Sequence, residues 1–138
     1  MEEKKNYTPV FIIGVFIILV ILIGGLTNYK DETLVCNKTE NICTVNKTNL
    51  FNMKFKTELI KYSDIAGVSY YAQKVKGNRY GKGYREYFIA FNSKSNDKIK
   101  IFSQSYYEKK ELNSAIKELK TILSKGNSTN QVEYKRNN

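Results

Sequence analysis

Histidine is absent from the 138 residues. Its absence excludes the common Ser-His and Cys-His nucleophile pairs and every histidine metal site. Cysteine is scarce, at two residues, Cys36 and Cys43. Two thiolates alone do not close a zinc site, and their spacing is wider than the C-x-x-C of redox catalysts. Acidic residues number 13 against 23 Lys and Arg, a formal charge of +10. Asp64 and Glu86 are the carboxylates considered for catalysis, but nothing pairs them. A turn and a strand surface are their ordinary places. The glycines of 76–83 do not form the G-x-x-x-x-G-K-[ST] pattern of a phosphate loop. No catalytic constellation stands out. The expectation is a non-enzymatic protein with no cofactor and no metal.

What is present begins with an apolar run. "VFIIGVFIILVILIGGL", Val10 to Leu26, holds no charge and no polar side chain. As a helix its seventeen residues rise about 25 Å. Extending from Tyr7 to Tyr29 gives about 33 Å, near the bilayer core of about 30 Å, with a tyrosine at each interface. The run predicts a transmembrane helix. A cleaved signal peptide competes, although the run exceeds a usual apolar signal region and no A-x-A-like site follows. A buried core helix fits less well, because the run is apolar on every face.

"LVCNKTENICTV", Leu34 to Val45, reads as a hairpin turning at Lys38-Thr39-Glu40-Asn41. Cys36 then faces Cys43 across antiparallel strands, within disulfide range. Two free cysteines are the competing reading. A disulfide would place the domain in an oxidising compartment. Lys4 and Lys5 before the apolar run nearly balance Lys30 and Lys38 after it, so charge does not set orientation. The cysteine pair does. The predicted localisation is the cell membrane, single-pass, with the C-terminal domain extracytoplasmic.

Further along, "LFNMKFKTEL" alternates with Phe51, Met53 and Phe55 on one face, which predicts a strand with one buried face. Asp64 to Gly67 reads as a turn, followed by the strand "VSYYAQKV". "YREYFIAFN" (84–92) and "KIKIFS" (98–103) read as strands around the turn "SKSND". Leu112, Ile116, Leu119 and Leu123 then repeat at helical spacing. Ser105 and Glu108 suit a capping box, and Gly126 suits a C-terminal cap. The predicted organisation is an N-terminal flank (1–9), a transmembrane helix (10–26), a linker (27–33), one domain (34–125) and a disordered polar tail (126–138). Sequons at Asn6, Asn37, Asn46 and Asn127 are expected by chance in a chain so rich in Asn, Ser and Thr.

This order of elements resembles a pleckstrin-homology-like domain of bacterial single-pass membrane proteins. The resemblance spans about Leu34 to Leu123. It is carried by "LVCNKTENICTV", "LIKYSDIAGV", "YFIAFNSKSNDKIKIF" and "AIKELKTIL". It implies a mainly β fold with one C-terminal α-helix: a β-barrel or sandwich whose final helix plugs one end, here preceded by the transmembrane helix. It implies a fold more than an activity.

One stretch suggests a site. "KVKGNRYGKGYR" carries Lys74, Lys76, Arg79, Lys82 and Arg85 with no acid, interleaved with Tyr80 and Tyr84. A flexible basic-aromatic loop suits phosphate-bearing lipid headgroups or an anionic polymer. A solvated hairpin loop is the plain alternative. The partners expected are therefore the lipid bilayer, then a protein partner or an anionic lipid or polymer. Nucleic acid is not expected. The functional expectation is a membrane-anchored binding module of the cell envelope. The alternatives are an accessory subunit of an envelope enzyme or transport complex, and a secreted basic domain released by signal cleavage.

Overall fold

The computed structural model describes residues 8–125 and 130–136, with side chains in the first helix from Phe11 onward. The expected N-terminal flank up to Tyr7, the Gly126 cap and the Asn127 sequon lie outside the described residues. The elements run α1 (Thr8–Thr27), β1 (Tyr29–Asn37), β2 (Ile42–Asn49), β3 (Lys54–Ile60), a 3-10 turn (Tyr62–Asp64), β4 (Ile65–Val75), β5 (Tyr84–Ser93), β6 (Lys98–Lys100), α2 (Lys109–Lys125) and β7 (Gln131–Lys135). A four-stranded sheet has the order β3-β2-β1-β7, and a three-stranded sheet has the order β4-β5-β6. Every pairing is antiparallel.

Period-two alternation builds the core. β1 turns Leu34 and Cys36 inward, β2 turns Cys43 and Val45 inward, and β7 adds Val132 and Tyr134. From the second sheet Val68, Tyr87, Ile89 and Phe91 face the same core. Helix α2 contacts β4, β5 and β7 and buries Leu112, Ala115, Ile116 and Leu119. Burying each such leucine or isoleucine contributes roughly 1.5–3 kcal/mol. The predicted helix stripe is therefore the face that joins the layers.

The first hairpin is as expected. Cys36 pairs with Cys43 and Asn37 with Ile42 around a turn at 38–41. Cys36 and Cys43 form a disulfide, with Cα atoms 4.0 Å apart and both residues fully buried. Asn41 takes the left-handed backbone (φ 54°), and Asn37 Oδ1 accepts the Glu40 N–H. Asparagine tolerates that conformation, which explains how a Thr-Glu centre is accepted.

Several expectations are corrected. No helix among the described residues is long and apolar enough to cross a membrane. The expected span from Tyr7 to Tyr29 is cut short, because α1 ends at Thr27 and Tyr29 opens β1. The single-pass anchor and the membrane localisation built on it are withdrawn.

The expected fold of one C-terminal helix closing a pleckstrin-homology-like barrel is replaced by a mainly β fold with two helices. The chain continues past α2 into β7, which pairs with β1 from Thr33↔Lys135 to Asn37↔Gln131. The polar tail thus contains a strand, because Val132 and Tyr134 alternate inward and Arg136 is buried.

The strand expected at "LFNMKFKTEL" is present only from Lys54, as β3, and the preceding residues 50–53 form a tight turn. Fully buried Asn49 accepts the N–H groups of Phe51 and Met53, and Asn52 adopts φ 61°. Phe51 and Met53 in the turn, and Phe55 in β3, are exposed rather than buried on one face. Ser105 does not cap α2 either. The helix begins at Lys109, and the Glu108 carbonyl accepts its first bond from Leu112.

Candidate anion-binding hairpin

The basic stretch is the end of the β4–β5 hairpin. The register runs Ala72↔Tyr87, Gln73↔Glu86, Lys74↔Arg85 and Val75↔Tyr84. Tyr87 exchanges both backbone bonds with Tyr106, at 2.9 and 2.7 Å, so its peptide groups point away from β4. Alternation then makes Ala72–Tyr87 and Lys74–Arg85 non-hydrogen-bonded positions. There Cα atoms approach to about 4.5 Å and side chains lie closest. Two cations are thus held side by side, an arrangement that destabilises a strand pair. Neither is relieved by an acid. Among the described residues, none of Lys74, Lys76, Arg79, Lys82 and Arg85 forms an ion pair.

The tip is more ordered than composition suggests. Asn78 and Gly81 exchange backbone bonds of 3.0 and 3.3 Å, and Asn78 Oδ1 accepts the Tyr80 N–H. The strands close just outside this turn. A Cβ on Gly77 would lie 2.5 Å from the Gly81 carbonyl, and one on Gly83 would lie 2.8 Å from that of Val75. Glycine is required by that approach of backbone to backbone. Lys76, Arg79 and Lys82 are exposed at the tip with Tyr80, which is 91% exposed.

The structure divides the residues the sequence grouped. Lys74 and Arg85 share the face of Tyr87. Tyr84 lies on the opposite face, its ring 5.9 Å from Tyr107. The Tyr84–Tyr107 pair and the strand cations are therefore back to back. A residue the sequence did not flag joins the cations: Lys109, at the start of α2, sets its ammonium 5.8 Å from the Tyr87 ring. Nothing along the chain signals this, because Lys109 is 24 residues from Arg85. Asp64 and Glu86 do not come together as an acid pair. Asp64 ends the 3-10 turn and Glu86 sits opposite Gln73.

A second charged cluster is buried and structural. Glu32, 2% exposed, accepts the Ser103 N–H at 2.9 Å on both carboxylate oxygens and lies 3.5 Å from Lys47 Nζ. Lys47 also donates to Ser103 Oγ at 2.6 Å. Arg136 donates to the carbonyls of Gln104 and Ser105 and stacks its guanidinium 4.2 Å from the Tyr106 ring. These bonds fasten the segment after β6 to β1 and β7. Lys100 lies over Phe88 at 3.8 Å, and burial lowers its ammonium pKa below the usual 10.5. Among the described residues no three His, Cys, Asp or Glu side chains gather as metal ligands.

In comparison with known proteins, no family model, no curated protein and no solved structure matches this chain. Nothing in these comparisons identifies a pleckstrin-homology-like domain.

Proposed function

We propose that this protein is a non-enzymatic binding module whose β4–β5 hairpin takes an anionic polymer. One observation carries the reading: Lys74 and Arg85 face each other at the closest cross-strand position with no carboxylate to neutralise them. Repulsion of that kind is relieved when an anion arrives. Lys76, Arg79 and Lys82 extend the positive surface to the tip, and Gly77 and Gly83 hold the tip in shape. The disulfide at Cys36–Cys43 suits an oxidising setting.

The test is a titration of the full chain with long-chain polyphosphate, followed by anisotropy at low salt. Replacing Lys74, Lys76, Arg79, Lys82 and Arg85 together by glutamine should abolish binding while the circular dichroism spectrum is kept. Replacing Lys54, Lys56, Lys117, Lys120 and Lys135 removes the same charge elsewhere and should leave most of the affinity. Equal losses from the two sets would mean that net charge, and not the hairpin, does the binding.

A further inference from the structure

We infer that Lys109 of α2 completes a three-cation cradle with Lys74 and Arg85, and that the group it takes is a phosphate of a polymer without bases. This rests on the hairpin reading above. Three segments, β4, β5 and α2, each bring one cation to the neighbourhood of Tyr87. Arg85 is two residues from Tyr87 on the same face, about 7 Å along the strand. The Lys109 ammonium lies 5.8 Å from the Tyr87 ring centre, within cation–π range, which favours its placement there. Among the described residues it too forms no ion pair.

Chemistry narrows the ligand. A carboxylate offers two oxygens in a plane and is met by one arginine fork. Three cations brought near Tyr87 from β4, β5 and α2 suit a tetrahedral group with several charged oxygens. Nucleic acid also offers phosphates, but single strands are held by stacking on exposed rings beside the cations. At the cradle itself the ring is Tyr87, 8% exposed and beside Lys109, while the exposed ring of Tyr80 stands apart at the hairpin tip with Lys76, Arg79 and Lys82. The exposed pair Tyr84 and Tyr107 lies on the other face. The cradle therefore suits a backbone of phosphates and not a stacked base.

The experiment measures affinity of the full chain for inorganic polyphosphate, poly-aspartate and single-stranded DNA at equal charge concentration, across a salt series. Polyphosphate should bind at least ~10-fold more tightly than either competitor. Lys109→Gln should weaken polyphosphate ~10-fold and reduce the salt slope by about one. Lys110→Gln, exposed beside it, should change affinity less than 2-fold. If Lys109→Gln and Lys110→Gln behave alike while a Lys74/Arg85 variant, Lys74→Gln with Arg85→Gln, still loses binding, the cradle is refuted and the hairpin reading stands. If poly-aspartate or DNA competes equally, the phosphate preference is refuted. If the Lys74/Arg85 variant binds as the parent does, the hairpin reading falls as well.

Discussion

Lys74 and Arg85 lie directly opposite each other in the β4–β5 ladder, with no acid paired to either. A like-charge pair at that position costs on the order of 0.2–1 kcal/mol. Stability and binding are therefore opposed here. Arg85→Gln should raise the thermal midpoint by about 2–4 °C, taking half a kcal/mol for a domain of this size. The same variant should bind polyphosphate less tightly. Calorimetry with and without polyphosphate measures both. A lowered midpoint would remove the repulsion from the account.

The Cys36–Cys43 bond closes a short loop and sits within the core. Its loss through the pair Cys36→Ala and Cys43→Ala should cost roughly 2–3 kcal/mol in the chain-entropy model. Reductant added to the native protein should act slowly, because neither cysteine reaches solvent. Denaturant curves with and without reductant, read after matched incubation, check both statements.

Glu32 holds the N–H of Ser103 and faces Lys47 from a buried position. Glu32→Ala strands that N–H and leaves the Lys47 charge unpaired, a change expected to cost about 3–5 kcal/mol. Adding Lys47→Met should recover part of the loss, since the uncompensated charge goes too. A double-mutant cycle in urea gives the coupling. Additive losses would mean that the pair does not act as a unit.

Alkaline pH should loosen the end of the fold where β7 meets the segment after β6. Burial pushes the Tyr134 phenol up to about 12, and burial raises that of Tyr106 as well. An unfolded tyrosine ionises near 10. The folded state thus favours the neutral phenol, and this stabilisation is complete below pH 10. It is lost as pH rises through 10 to about 12. Lys100, lowered by burial, works in the other sense, its penalty easing as pH approaches 10.5. Tyr134→Phe keeps the ring and removes the titration. Its urea midpoint should fall less steeply between pH 10 and 12 than the parent's.

Much of the fold could be read along the chain. The hairpin register at Cys36–Cys43, the aromatic strand at 84–92 and the α2 stripe each follow from a local period. What was hidden depends on long-range pairing. "QVEYK" has only two inward residues, and they become a strand because β1 offers a free edge. "LFNM" continues the alternation of β3 backwards, but a buried Asn49 folds it into a turn. The apolar run was read as a span from Tyr7 to Tyr29, but the helix ends at Thr27 and Tyr29 belongs to β1. At the candidate site the five cations were legible from composition. Their separation from Tyr84 and Tyr107 was not, because strand alternation decides it. Lys109 was invisible, since only packing brings α2 to Tyr87.

The most direct measurement is amide chemical-shift mapping of the full chain during titration with polyphosphate. If the hairpin is the site, shifts concentrate at residues 74–85 and at Lys109, and saturate together. The contradicting result is a set of shifts centred on the outer face of β1–β3, around Lys54 and Lys56, or spread over every lysine without saturation.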